Sequence, residues 1–280
     1  MESSLISAIK KLVPRALKQK ARALETRARI LGAKYRCSAC GRRVSSFNPL
    51  PSTITDEIKK YGFKYSTEEA EMCNGKNYSC PYCGASDRER LYALYLKDHL
   101  PGVSSDQVFK FIDFAPTPPV SSLIKRLIAQ LPQSFSYRTA DLLAAGVDDR
   151  VDLMDLKIYG DNSVDFFICS HMLEHVADDK KALSELYRIL KPGARGILVV
   201  PIPLTAVDID EDPTVTDEGE RWRRFGQYDH VRLYSKQGFL SRVGEAGFTV
   251  HQLGREHFGA KVFKTYAITD QSVLYVVEKP

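Results

Sequence analysis

Two Cys-x-x-Cys pairs, Cys37 with Cys40 and Cys80 with Cys83, are the residues of this 280-residue chain whose spacing speaks most directly of chemistry. Each pair is a turn that aims two thiolates at one point. The glycine behind each second cysteine, Gly41 or Gly84, permits the positive φ such a knuckle needs. Four thiolates at about 2.3 Å around Zn2+ make a closed, structural site with no coordination position left for catalysis. In a reducing compartment, pairs at this spacing point to a metal rather than to disulfides. Cys37, Cys40, Cys80 and Cys83 are therefore expected to hold structural zinc, although the 39 residues between the pairs exceed the span of a compact ribbon. Cys73 stands within that span as an alternative ligand, and Cys169 ends an apolar run and reads as a core cysteine.

A second set of polar groups stands where strands should end. The apolar run Val164 to Cys169 leads into Ser170 and His171, and in an open α/β sheet a polar group at a strand's carboxyl end faces the ligand crevice. The ordinary pKa of histidine suits His171 to remove a proton, and packing alone is the alternative. Further on, Asp229, His230 and Arg232 could set an aspartate-oriented base beside an arginine clamp for an anionic acceptor, or form a purely architectural network.

The elements that must position these groups alternate. A helix is expected over Arg88 to Leu100, stopped by Pro101-Gly102. Apolar strands follow at Val108 to Asp113, Phe135 to Arg138, Val164 to Cys169 and Arg195 to Pro201. Helical spacing covers Val120 to Leu131, Asp178 to Leu190 and Ser235 to Ala246. Phe248 to Leu253 and Val273 to Glu278 are expected as closing strands in a hairpin-like finish, joined by a long irregular connection. The alternation predicts a mostly parallel sheet covered on both faces. Ahead of it, Leu5 to Leu31 spaces its apolar residues as a basic amphipathic helix interrupted by Pro14. The expected organisation is a basic helix over 1–34, a zinc module with its linking helix over 35–100, and an α/β domain over 105–280.

The stretch from Asp161 to Pro201, with His171, Leu173-Glu174-His175 and Leu190-Lys191-Pro192-Gly193, resembles the fourth strand, helix and fifth strand of class I methyltransferases. Glu211 to Asp217, Glu220-Arg221 and Phe225 to Tyr234 resemble a narrower group. Its members join a Cys-x-x-Cys zinc module to that domain, and many accompany surface-polysaccharide synthesis. The resemblance implies a Rossmann-like class I sheet, mostly parallel with an antiparallel strand near the C-terminus, and S-adenosylmethionine as cofactor. It places the methionine end over the loop carrying Asp113, Ala115 and Thr117, and the ribose on Asp141, which could equally cap a helix. The adenine would meet Asp155, with Asp152 competing, and the backbone N–H of Leu156. Ser170 and His171 would lie beside the methyl group. Asp113 to Pro119 has three prolines and no glycine, which removes backbone donors.

Composition bounds the remaining questions. With 44% hydrophobic and 27% charged residues the chain can bury a full core. No stretch of about 18 apolar residues or signal peptide is found, so a cytoplasmic protein is expected. Residues 1–36 carry ten Lys/Arg against two Glu, a charge of +8 that leaves −3 of the total +5 for the remainder. The body is thus no polyanion-binding surface, and the tail can dock on the protein, meet an anionic membrane at its inner face or hold nucleic acid. The expected function is O-methylation of a sugar, glycan or related small acceptor. An RNA methyltransferase and a non-catalytic methyltransferase-like scaffold are the alternatives, the first disfavoured by the body's charge and the second favoured by the proline-rich loop.

Overall fold

The computed structural model describes residues 32–103 and 107–280. The basic helix expected from Leu5 to Leu31 lies outside them. Two short strands, β1 (Tyr35–Arg36) and β2 (Arg43–Val44), pair antiparallel beside the first cysteine pair, and helix α1 (Ser52–Tyr61) follows. Helix α2 (Asp87–His99) starts at Ser86, whose hydroxyl and the Glu89 carboxylate cap each other's backbone in a capping box. After it come β3 (Phe109–Phe114), α3 (Pro118–Ile128), β4 (Phe135–Asp141), β5 (Asp149–Arg150), β6 (Val164–Ser170), α4 (Asp179–Ile189) and β7 (Leu190–Val199). The chain closes with β8 (Asp210–Glu211), α5 (Glu218–Phe225), β9 (Arg232–Leu233), α6 (Lys236–Glu245), β10 (Thr249–Leu253), α7 (Arg255–Phe258), α8 (Ala260–Tyr266) and β11 (Leu274–Glu278).

Seven strands form one sheet in the order β10-β11-β7-β6-β3-β4-β5. Neighbours from β7 to β5 run parallel, and β11 is antiparallel to both β7 and β10. The expected hairpin-like finish is present, but its connection carries α7 and α8. The order reverses between β3 and β6, where Phe114 registers with Cys169. The ends of those strands, Ala115 and Ser170, therefore flank the switch point at which open α/β sheets bind ligands.

Each face of the sheet has its own core. On one, Leu183, Leu186 and Ile189 of α4 and Phe239 and Val243 of α6 pack on Phe167, Leu198 and Val277. On the other, Leu91, Tyr92, Tyr95 and Leu96 of α2 pack with Val120 and Ile124 of α3 on Phe111, Phe166, Ile197 and Val276. Each such large apolar side chain contributes about 1.5–3 kcal/mol by leaving water. The helix leading out of the cysteine module is thus built into the cover of the sheet. Arg90 ties the two together: fully buried, it donates to the carbonyls of Asn77, Tyr78 and Ala85 on the module side and of Tyr266 and Ala267 beside α8. The long span between the cysteine pairs also has its reason. It carries α1, whose Tyr61 stacks on Trp222 of α5 at 6.1 Å, and Glu71, which bonds Lys236 and Tyr275.

Candidate active site

The four predicted zinc ligands converge. Cys37 Sγ lies 3.8 Å from Cys83 Sγ and Cys40 Sγ 3.9 Å from Cys80 Sγ, with all four within 4.8 Å of one another. A tetrahedron with metal–sulfur bonds of about 2.3 Å has edges of about 3.8 Å. Both knuckle glycines adopt the expected positive φ, 76° at Gly41 and 80° at Gly84. Four thiolates this close repel one another unless a cation sits between them, so the donor set fits a structural zinc. Cys73 is not part of the cluster and is a half-buried thiol that burial pushes up to about 12.

The crevice at the switch point is lined by Asp113, Phe114, Ala115, Thr117 and Val120 on one side, Ile168 and Ser170 on the other, and Arg88, Glu89 and Tyr92 of α2 above. The free space between them is small, about 40 Å3. Ala115 takes the left-handed conformation, φ 50°, which turns the chain sharply out of β3. Thr117 is the N-cap of α3, and Pro118 and Pro119 fill the first two helical positions, so neither offers a backbone N–H. The buried Thr117 hydroxyl finds no partner among the described residues. Asp113 is committed internally: Tyr137 and Ser121 donate to it, and burial lifts its carboxyl to about 6. Among the ten lining residues Arg88 is the fixed positive charge, and its one hydrogen bond is a long 3.5 Å contact to the Tyr78 hydroxyl. Tyr92 bonds Ser170 Oγ at 2.8 Å.

Asp141 ends β4 as expected. Its Oδ1 receives the N–H groups of Leu143 and Ala144 at 2.7 and 2.8 Å, and Leu142 and Leu143 beside it are exposed apolar residues at 47% and 81%. Asp155 is open to solvent and pairs with Lys157, while Asp152 holds the Met154 N–H. The expectation for Leu156 needs correction: its N–H goes to Glu185 Oε2 at 2.7 Å and its side chain is fully buried, so it has no donor left for an adenine.

His171 stands at the end of β6 with φ 55°, a conformation rare outside glycine, and keeps 26% of its side chain exposed. Its Nδ1 lies 3.4 Å from Oε1 of Glu174, a residue with no exposed surface. Desolvation, then the charge of Arg88, hold the imidazole well below its usual pKa, so it is neutral at pH 7. Burial pushes the Glu174 carboxyl the other way, up to about 8.

The arginine clamp does not exist. Arg232 is 1% exposed and donates to the carbonyls of Leu173, Val176 and Ala177 and to Glu211, so it holds the turn before α4. Asp229 also does not orient His230: its Oδ2 lies 3.4 Å from Nδ1 of His175, and His230, 6% exposed, engages the Phe225 carbonyl instead. The structure thus joins Asp229 and His230 to Glu174 and His175, which the sequence analysis named only within the Leu173-Glu174-His175 motif. It also brings in Arg88 and Tyr92, four residues apart on α2 and so on one helix face. That spacing was a legible signal, but nothing in it named the crevice as its target.

A sheet with this strand order, one antiparallel strand next to the last, and ligand-facing groups after its first and fourth strands defines the class I methyltransferase fold. The methyltransferase domain family matches residues 137–199, from β4 to the end of β7. No curated protein matches the chain. Among solved structures, the cyclase SpnF overlays at 15% identity and a TM-score of 0.41, covering 84% of this chain and 98% of its own. The YcgJ protein from Bacillus subtilis gives 15% and 0.40, with 68% and 99% covered. The phosphoethanolamine N-methyltransferase 2 of Haemonchus contortus, solved with S-adenosyl-L-methionine, gives 13% and 0.40, with 66% and 52% covered. The strand order, not these overlays, carries the assignment of the fold.

Proposed function

We propose that the protein is an S-adenosylmethionine-dependent methyltransferase acting on a hydroxyl of a sugar, glycan or related small acceptor. The observation that carries this reading is His171, a neutral imidazole held in a left-handed turn at the carboxyl edge of the switch-point strand, with Glu174 behind it.

The polar groups around the crevice match a ligand with a carboxylate at one end and a ribose at the other, which must widen the 40 Å3 space as it enters. Arg88, with one long hydrogen bond, and the unpartnered Thr117 hydroxyl can receive the carboxylate end. Asp141 has one oxygen uncommitted for ribose hydroxyls, and the exposed Leu142 and Leu143 offer an apolar face for an adenine. Arg88 supplies from α2 the anion-binding charge that the proline-filled start of α3 does not offer as backbone donors. The bound cofactor supplies an electrophilic methyl group on sulfonium. His171 would accept the proton of the acceptor hydroxyl while the methyl group's bond to sulfur breaks and sulfur leaves as a neutral thioether, and the charge of Arg88 opposes accumulation of positive charge on the ring at rest. Cys37, Cys40, Cys80 and Cys83 hold zinc that braces α2 and with it Arg88.

General-base catalysis is worth roughly 10²–10⁴-fold. His171→Ala is therefore expected to lower turnover by that factor while leaving S-adenosylmethionine affinity, measured by calorimetry, within a few-fold of the parent. Equal turnover in the two proteins refutes the role. The prolines at the start of α3 favour a second reading, a scaffold that keeps the fold without the reaction; absence of measurable affinity for S-adenosylmethionine and for its demethylated product would establish it. We further infer from the charge of +8 in residues 1–36 that the tail brings the enzyme to an anionic membrane surface where such acceptors are assembled.

A further inference from the structure

We propose that Glu174, His175 and His230 form a second metal site, separate from the four-cysteine centre, which takes one divalent first-row transition cation through two imidazole nitrogens and one carboxylate oxygen. One ligand atom from each residue lies within 4.8 Å of the others. Two imidazoles with one carboxylate suit Zn2+, Fe2+ or Co2+ better than the oxygen-only shells of Mg2+ or Ca2+.

The outer partners of both histidines already have the arrangement that metal-bound imidazoles need. His230 Nδ1 faces the Phe225 carbonyl oxygen at 3.1 Å. A carbonyl can only accept, so Nδ1 carries the proton and Nε2 keeps its lone pair. His175 Nδ1 faces Asp229 Oδ2 at 3.4 Å, which fixes the same tautomer and leaves Nε2 on the side of Glu174, 4.0 Å from Oε1. Ligating histidines characteristically give their other nitrogen to a carboxylate or carbonyl in this way. The two rings meet edge to face with centroids 4.7 Å apart.

The independent sign is Glu174 itself. It is fully buried, and among the described residues no group donates a hydrogen bond to either of its oxygens. Arg232 lies close enough to act on it electrostatically but gives its hydrogen bonds to Leu173, Val176, Ala177 and Glu211. A buried carboxyl with no donor is costly, and a cation between it and two imidazole lone pairs satisfies all three groups. His171, 3.4 Å from Oε1, is compatible with this, because a carboxylate has about four lone-pair positions. Three protein ligands leave at least one coordination position for an oxygen from outside, unlike the closed sulfur site. The partly exposed His171, His175 and Asp229 surround that position.

The test uses the full-length protein carrying one equivalent of zinc, which the four-thiolate centre takes first, titrated with Co2+ alone by calorimetry and absorption. One further equivalent is expected, with none of the thiolate-to-metal charge transfer that cobalt among cysteines would show. Glu174→Gln and His230→Gln are expected to abolish it, with thermal melts reporting their folding. Asp229→Asn, on an exposed side chain, is expected to fold as the parent and to weaken cobalt binding about 10–100-fold through the orientation of His175. The proposal is overturned if the zinc-loaded parent binds no further equivalent. Cobalt binding that is unchanged in Asp229→Asn and Glu174→Gln overturns it equally, because surface histidines would then be the ligands.

Discussion

Asp113 sits beneath the loop that opens the crevice, and its carboxyl is raised from 3.8 to about 6 by burial, against the pull of Tyr137 and Ser121. A carboxyl raised in the folded state contributes stability in full below its unfolded pKa and loses it as pH climbs through the folded value. The parent is therefore expected to lose about 2 kcal/mol of unfolding free energy between pH 4 and pH 7 relative to Asp113→Asn, which has no proton to lose. Denaturant titrations of both proteins across that range check it, and a constant difference between them contradicts it. At this scale the sequence told local arrangements and missed distant ones. The cysteine pairs and His171 were legible because their geometry is set by two or three neighbouring bonds. The partnership of Asp229 with His175 was not, since the two meet only when the turn after β6 folds against the segment after α5. Arg232 misled for the same reason: its charge looked free until three carbonyls of a distant turn enclosed it.

Among the elements, α2 has the largest mechanical role, because its apolar residues cover the sheet while its first turns carry Arg88 and Arg90. Arg90→Ala is expected to destabilise the protein by about 3–5 kcal/mol, since it removes five hydrogen bonds to carbonyls and empties the space of a fully buried side chain. Thermal and denaturant melts read this directly, and a change below 1 kcal/mol would mean that water replaces the guanidinium. Strands β3, β4, β6 and β7 were visible beforehand as short apolar runs, and α4 as a helical stripe ending at Lys191-Pro192-Gly193. Strand β5 was not, since two residues establish no alternation. Helix α5 escaped because Phe225 is its sole buried side chain, so Glu218 to Arg224 shows no apolar face. Helix α1 has no buried residue at all and is held by the stacking of Tyr61 on Trp222.

For the whole molecule, charge is divided as sharply as structure. Among the described residues no helix is long and apolar enough to cross a membrane. All of the excess positive charge belongs to the first 36 residues, since the remainder is net negative. Deleting residues 1–34 is expected to abolish binding to vesicles containing anionic lipid and to leave S-adenosylmethionine affinity unchanged, with the parent's vesicle binding fading as salt rises towards 1 M. Sedimentation with vesicles at low and high salt tests both halves. Salt-sensitive RNA binding that survives the deletion would instead favour the nucleic-acid reading. The sequence made this division plain, whereas the merging of the cysteine module with the sheet's helical cover could be seen only in three dimensions.

That merging ties the protein to its nutritional surroundings. The second cysteine pair ends three residues before Ser86, the residue that starts α2. If the four cysteines hold zinc as proposed, a cell starved of it would leave this knuckle slack and let the first turn of α2 fray, withdrawing Arg88 from the crevice. On the proposed function, methyl-donor uptake would then fail while every residue on the sheet stayed in place, so scarcity of one micronutrient would act on the site from a distance.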